Sequence, residues 1–244
     1  MRSWSEAELA LAPDDTHVRD EGGHFVQFYN VLAIPYSGQW LGLVTHFTGR
    51  SADTAPGQSP DDGPIDVQLV QSQDSRSWQR CEDRSPIIPN GPHAYDAGCI
   101  LGVANGPVVT DDEMWIYYTA ITTSHGGSLP ENQISIARAS WPLDRWVSLD
   151  AGPSGGLIEA TEVVTDGGRL LVNADASAGE LHIELLDPDG AVIPGYGRTD
   201  CHPIATDALR RPVRWNSHTD LPRMRPVRLR FYLRNRKLFA WRAE

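Results

Sequence analysis

The chain has very little lysine and an excess of acidic side chains. Lys237 is its single lysine, and 32 Asp and Glu residues outnumber 21 Lys and Arg residues, which gives a net charge of −11. Proteins that bind nucleic acids cluster basic side chains, which displace counterions from the phosphates. The composition therefore argues against a nucleic-acid partner and favours uncharged or cationic ligands.

Cysteine and histidine are too scattered to predict a metal site. Cys81, Cys99 and Cys201 form no Cys-x-x-Cys pair, and their odd number argues against a complete disulfide framework. No two histidines stand at a short His-x-x-x-His interval. We expect buried free thiols and no metal. A P-loop, a dinucleotide fingerprint and a Gly-x-Ser-x-Gly motif are also missing, so we expect no cofactor.

Long apolar runs are missing as well. No stretch approaches the roughly 20 apolar residues that a membrane-spanning helix needs. The N-terminal segment MRSWSEAELALAPDD has acidic residues where a signal peptide has its apolar core. We therefore expect a soluble protein with no membrane partner, no signal peptide visible in this chain and, for the chain as given, a cytoplasmic location.

Residues typical of turns and short strands are abundant, with 22 Gly, 18 Pro and 8 Trp. From His24 to Phe47, two β-rich runs are joined by PYSGQ, which is typical of a hairpin turn. The strand VQLVQS then leads into the turn QDSRSW, and a second series of strands runs from Tyr95 to Trp141. Two antiparallel units of about 50 residues, each ending in Trp, match the repeat of β-propeller blades. The sequence therefore predicts an all-β fold that begins with a partial β-propeller of about two blades.

Beyond LDRWVSLDAGPSGG the spacing of the strands changes. Short strands follow one another at regular intervals, separated by turns such as TDGG and DPDG, and this spacing is typical of an antiparallel β-sandwich. We therefore divide the chain into a propeller-blade region, residues 1–147, and a C-terminal β-sandwich, residues 148–244. The strands predicted in the second region are LIEATEVV, RLLVNADA, ELHIELLD, PVRW, PVRLRFYLR and KLFAWRAE.

The predicted strand PVRLRFYLR alternates strictly between apolar side chains and side chains that are mostly arginine. A period of two predicts that one face of the strand is buried and that the other is cationic. Two interpretations of the cationic face stay open: a surface for an anion or a sugar acid, or a solvated outer face of an acidic protein. The apolar face comprises Val227, Leu229, Phe231 and Leu233, and the other face Arg228, Arg230, Tyr232 and Arg234.

Several segments, in a fixed order, resemble bacterial proteins of the glycoside-hydrolase type. Those proteins carry a five-bladed propeller, related to the invertase and arabinanase furanosidases, followed by a C-terminal β-sandwich. Five blades need well over about 200 residues, whereas about 145 residues precede the predicted sandwich, so the resemblance implies the last two blades and an unclosed ring. The segments that carry the resemblance are FYNVLAIPYSGQWLGLV, DVQLVQSQDSRSWQR, YDAGCILG, VVTDDEMWIYY, RWVSLDAG, LLVNADASAGELHIELLDPDGAVIPGY and PVRLRFYLRNRKLFAW.

The resemblance implies hydrolysis of glycosidic bonds by paired carboxyl groups, one protonating the leaving oxygen and one activating water or attacking the sugar. In the furanosidase propellers the essential acids lie on the first strands of the first three blades, most of which this chain would lack. Asp96, expected to open an innermost strand, and Glu21, next to Asp20, are the remaining catalytic candidates. The alternatives are a turn-capping role for Asp96 and a solvated loop for Asp20 and Glu21.

Aromatic, histidine and amide side chains near these acids predict a sugar subsite with a stacking face and polar contacts. Two classes of function stay open. One is a carbohydrate-active protein resembling glycoside hydrolases. The other is a truncated, non-catalytic glycan-binding or structural protein that forms homo-oligomers through unpaired blade edges. The candidate substrate-binding residues are His24, Tyr29, Asn30, His93, Tyr95 and His125.

Overall fold

The protein is all-β in the computed structural model, which describes residues 5–14, 23–51 and 61–244. These residues contain no α-helix, and hence no helix long and apolar enough to cross a membrane. The chain divides into two compact units, each of which combines two stretches of sequence. The first unit comprises Met1–Val108 and Trp115–Ser140, and the second comprises Val109–Met114 and Trp141–Glu244.

Nine strands form one large sheet in the first half of the chain. They are β1 His24–Tyr36, β2 Gln39–Ser51, β3 Asp61–Asp62, β4 Ile65–Ser72, β5 Gln79–Arg80, β6 Cys99–Val103, β7 Val108–Val109, β8 Glu113–Ile121 and β9 Ile134–Pro142. The order along the hydrogen-bonded path is β1-β2-β4-β6-β8-β7, while β3, β5 and β9 pair with β2, β4 and β8. A single parallel pair, Ile65 with Cys99, joins β4 to β6.

The hairpin predicted at PYSGQ is confirmed, with Tyr36 opposite Gln39 at the ends of β1 and β2. The two residues between them, Ser37 and Gly38, have φ values of 47° and 81°. A two-residue turn with positive φ at both positions matches the twist of the flanking strands. The local sequence therefore determines this register.

One apolar cluster of the first unit is built from residues that lie far apart in the sequence. The strands β1, β2, β4, β6 and β8 each contribute one buried side chain to it. These members are Phe25, Phe47, Ile65, Cys99 and Ile121.

Eight strands belong to the rest of the chain and form two four-stranded sheets. They are β10 Leu149–Ala151, β11 Gly156–Glu159, β12 Val163–Asp166, β13 Leu170–Asp175, β14 Glu180–Leu186, β15 Asp207–Pro212, β16 Arg223–Arg234 and β17 Arg236–Ala243. One sheet has the order β10-β17-β13-β15; in the other, β16 pairs with β14 along one edge and with β11 and β12 along the opposite edge. None of the sheets formed by the described residues closes on itself.

The predicted alternation along β16 is confirmed. Val227, Leu229, Phe231 and Leu233 are buried in a core that also receives side chains from β13, β14 and β17. On the opposite face, Arg228 and Arg230 both bind the carboxylate of Glu159 at 2.8 and 3.0 Å, and Arg230 also binds Glu184 at 2.9 Å. The centre of the cationic face is thus neutralised by two glutamates.

Two of the predicted strands differ from the observed ones. The segment LIEATEVV forms two strands, β11 and β12, because these pair with successive parts of β16. The segment PVRW is not a strand beyond Pro212, whereas β15 lies just before it. Val213 and Trp215 instead fill the core, and the Trp215 indole donates a hydrogen bond to the carbonyl of Ile183 at 3.0 Å. These two side chains are therefore buried in a segment that is not a regular strand.

All three cysteines are free thiols, as predicted. Cys99 and Cys201 are buried, whereas Cys81 is partly exposed. Burial raises the pKa of the Cys99 thiol to about 11.

Candidate functional site

Tyr29 and His125, both predicted to bind substrate, meet in the first unit. The Tyr29 hydroxyl lies 3.1 Å from Nε2 of His125, within hydrogen-bonding distance. The two rings are nearly perpendicular, with centroids 5.5 Å apart, and the buried ring of Phe47 packs against both. Tyr29 is 39% exposed. The Tyr29 ring is therefore partly open to solvent, whereas Nε2 of His125 is engaged by Tyr29 and its Nδ1 is buried.

A bulge in β1 places Tyr29 and its neighbour Asn30. The register of β1 against β2 shifts between Phe28 and Val31, so both residues lie in the irregular part. The side-chain amide of Asn30 donates to the carbonyl of Leu101 at 3.2 Å, linking the bulge to β6. Of the two predicted binding residues in the bulge, Tyr29 faces solvent, while the Asn30 amide nitrogen is engaged within the protein.

Asp62 anchors the loop that carries His125, a role that the sequence did not reveal. Its Oδ1 accepts hydrogen bonds from the backbone N–H groups of Gly63 and Gly126, both at 2.8 Å. The backbone N–H of His125 in turn donates to the carbonyl of Gly63 at 2.9 Å. A hydrogen bond from Ser124, together with those from Gly126 and Gly63, lowers the pKa of Asp62. The only signal in the sequence is the Asp-Asp-Gly triplet, which reads as an ordinary loop.

The electrostatic surroundings of Tyr29 are acidic. Burial raises the pKa of its hydroxyl, and the negative charge of Asp61 raises it further. The phenol therefore stays protonated at neutral pH and can both donate and accept hydrogen bonds. A neutral ligand with many hydroxyl groups suits this environment better than an anion does.

His93, Tyr95 and Asp96 lie in a second group, on a 3-10 turn, Ala94–Asp96, that precedes β6. Asp96 was expected to open that strand, which instead begins at Cys99. The side chain of Asp96 is 2% exposed; Oδ1 accepts from the backbone N–H of His93 at 3.2 Å and Oδ2 from the Tyr118 hydroxyl at 2.9 Å. Asp96 thus caps the turn, as one of its two interpretations predicted, and both of its oxygens are engaged.

The same turn exposes two rings. The side chains of His93 and Tyr95 stack with an interplanar angle of 11° and centroids 5.1 Å apart. Within the described ranges, no hydrogen bond or ring contact connects this stack to Tyr29 or His125. The sequence-predicted binding residues therefore form two separate surface groups.

The remaining candidates lie apart from these groups or cannot be placed. His24 is exposed at the first position of β1, opposite Arg50. Asp20 and Glu21 lie outside the described residues. In the part of the chain that the structure describes, no group of three or more His, Cys, Asp or Glu side chains could hold a metal ion.

Comparison with protein-family models and with curated protein sequences finds no match to the chain.

Proposed function

We propose that the chain is a carbohydrate-active protein with the architecture of the propeller-plus-sandwich glycoside hydrolases. In this proposal the nine-stranded sheet corresponds to about two propeller blades, and the two four-stranded sheets correspond to the sandwich. Support comes from the succession of antiparallel strands in the first half and from the single core shared by the two later sheets. Fold alone does not determine a reaction, so the function is argued from the site.

We infer that the surface of Tyr29 and His125 binds a neutral carbohydrate. The observation that carries this inference is the exposed Tyr29 ring, held by Phe47 and by the 3.1 Å contact with His125. An amphipathic ring stacks on the apolar face of a sugar, and its hydroxyl, oriented by His125, can bind a sugar hydroxyl. The ring is already fixed before the ligand arrives, which reduces the entropy lost on binding.

Calorimetric titration with arabinan, fructan and related oligosaccharides tests this inference. Tyr29→Ala should weaken binding by at least about tenfold, since burying an aromatic ring contributes about 1.5–3 kcal/mol and a factor of ten corresponds to about 1.4 kcal/mol. Tyr117→Ala is the matched control, because Tyr117 is also 39% exposed but lies on β8. Tyr29→Phe separates the ring from the hydroxyl. Equal affinities for the wild type and Tyr29→Ala would contradict the proposed site.

Hydrolysis of glycosidic bonds is the second candidate function. It is favoured by two carboxyl groups on β3: Asp61, whose charge acts on Tyr29, and Asp62, which binds the loop that carries His125. The lowered pKa of Asp62 keeps that group ionised, as a base or nucleophile requires, and Asp96 and Glu21 remain candidates for the second carboxyl group. A panel of aryl glycosides tests the activity. Asp62→Asn should reduce turnover by about a hundredfold or more. Because Asp62 also binds the backbone of the His125 loop, the unfolding midpoint of the variant is compared with that of the wild type to separate lost catalysis from lost structure.

If the chain is instead a non-catalytic glycan-binding or structural protein, we propose that it associates with further copies of itself. Strand β9 pairs only with β8 within the described sheet, and its Ile134 and Ile136 are 68% and 82% exposed. An edge strand with exposed apolar side chains pairs readily with a second copy. Light scattering should then give a mass above 26.9 kDa, and Ile136→Lys should restore the monomer. A monomeric wild type at high concentration would contradict this proposal.

A further inference from the structure

A polar recess of about 320 Å³ lies within the second unit. It lies against the face of β16 opposite the core: Tyr232 points into it, while the neighbouring Phe231 and Leu233 belong mainly to the core. His182 of β14 lies opposite Tyr232 in the sheet register and also lines the recess. Gly155 and Gly156 border it without side chains, which leaves it open to solvent.

The recess has an excess of positive charge although the chain as a whole carries a net charge of −11. Arg198 and Arg234 both line it, and Glu180 is its only acidic lining residue. Glu180 lies 3.7 Å from Arg234, so it offsets one of the two cations. Among the residues that the structure describes, no carboxylate lies within ion-pairing distance of the Arg198 guanidinium. One positive charge therefore remains available to a ligand.

The guanidinium of Arg198 is held in place without using its N–H groups. Its guanidinium carbon lies 4.4 Å from the centre of the Tyr232 ring, and the Tyr232 hydroxyl is itself fixed by a 2.6 Å bond to Glu184. Stacking on an aromatic ring orients the planar guanidinium group while its N–H groups stay free to bind a carboxylate with two parallel hydrogen bonds. A guanidinium group that is already oriented in this way loses little conformational entropy when it binds a ligand.

His182 supplies a second polar side chain beside Glu180 in the wall of the recess. Nδ1 of His182 is buried and has no hydrogen-bond partner among the described residues, while Nε2 lies 3.4 Å from Glu180. The recess thus combines a free guanidinium with the polar side chains of Glu180 and His182, in a volume near the lower end of small-molecule sites.

We propose that this recess binds a sugar acid, a monosaccharide-sized ligand that carries one carboxylate and several hydroxyl groups. Arg198 takes the carboxylate, and His182, Glu180 and Arg234 contact the hydroxyl groups. This inference is independent of carbohydrate binding at Tyr29, because the recess is lined only by residues of the second unit.

Calorimetric titration of the full chain with glucuronate, methyl glucoside and acetate tests the proposal. We expect saturable binding of glucuronate, at least tenfold tighter than binding of methyl glucoside, which lacks the charge, and of acetate, which lacks the hydroxyl groups. Failure of glucuronate to bind would overturn the proposal. Equal affinity for acetate would also overturn it, since the site would then recognise charge alone.

Variants assign the binding to the recess. Arg198→Gln should weaken glucuronate binding at least tenfold, whereas Arg214→Gln, at another exposed arginine of the second unit, should not change it. The Arg198 side chain makes only an exposed stacking contact with Tyr232, and its bond to Glu184 comes from the backbone N–H, so its substitution should change the unfolding midpoint only slightly. Tyr29→Ala should leave glucuronate affinity unchanged, which separates this site from the proposed neutral-carbohydrate site. An unaltered affinity of Arg198→Gln would overturn the assignment.

Discussion

The hydroxyl of Tyr118 donates a hydrogen bond to Oδ2 of Asp96 across 2.9 Å, and both side chains are buried. The other carboxylate oxygen is bound by the backbone N–H of His93. This arrangement fixes the turn that leads into β6 and that presents the exposed His93 and Tyr95 rings. A carboxylate in this position has a definite structural role, and that role can be measured separately from any catalytic one.

Replacing Asp96 should therefore affect stability. Asp96→Ala leaves the buried Tyr118 hydroxyl and the His93 N–H without an acceptor, which should lower the free energy of unfolding by about 1–3 kcal/mol. Asp96→Asn retains an acceptor oxygen and should cost less. Urea denaturation measures both variants, and Tyr118→Phe completes a double-mutant cycle with Asp96→Ala. Additive effects of the two substitutions would contradict an energetic coupling between the side chains.

The same contact predicts a loss of stability at alkaline pH. Burial, followed by the hydrogen bond to Asp96 and its negative charge, raises the pKa of Tyr118 well above that of an ordinary tyrosine. Because the folded state favours the protonated phenol, the stabilisation is fully present below about pH 10 and is lost as the pH rises through the raised folded-state pKa. The free energy of unfolding should therefore fall more steeply above about pH 10 in the wild type than in Tyr118→Phe. Parallel pH profiles for the two proteins would exclude this assignment.

Arg236 should be replaceable without loss of stability. Arg236 is only 3% exposed, and within the described ranges none of its three guanidinium nitrogens has a hydrogen-bond partner. Burial lowers its pKa, and the attraction of Asp175 and Glu180 opposes that shift only in part. Burying an unpaired charge costs several kcal/mol, whereas burying the uncharged side chain of methionine, which has a similar length, avoids this cost.

Arg236→Met should accordingly leave the free energy of unfolding unchanged or raise it by about 1 kcal/mol or more. The matched control is Arg242→Met, on the same strand, where an exposed pair with Glu244 should be worth at most about 1 kcal/mol. Chemical denaturation of both variants provides the measurement. A loss of more than about 2 kcal/mol in Arg236→Met would mean that the guanidinium is stabilising after all.

The three thiols should differ in reactivity. Burial raises the pKa of Cys99 to about 11 and also raises the pKa of Cys201, and both side chains are inaccessible. Cys81 is partly exposed, so a disulfide reagent at pH 8 should modify it first, although burial and Asp83 raise its pKa as well. The Cys81→Ser variant should show no early phase, and all remaining thiols should react once urea unfolds the chain. Equal rates for all three thiols in the native protein would be inconsistent with the observed burial.

Features of short range were predictable from the sequence. The alternation of Val227, Leu229, Phe231 and Leu233 with polar neighbours predicted the buried face of β16, because successive side chains of a strand point to opposite faces. The Pro/Gly turn before Gln39 predicted the first hairpin, because glycine readily accepts the positive φ that Gly38 adopts in the turn. The turn-capping role of Asp96 was also foreseeable, since Asp commonly binds nearby backbone N–H groups.

The sequence by itself determined that the fold is all-β, where most of the strands lie and which face of β16 is apolar. Only the tertiary structure brought Tyr29 to His125, 96 positions away, and placed Asp62 under the His125 loop. It also gave Asp96 its partner Tyr118 and set Arg198 over Tyr232. Local patterns reflect the stereochemistry of neighbouring residues, whereas these contacts depend on the order and register in which distant strands pair, and no pattern along the chain specifies that order.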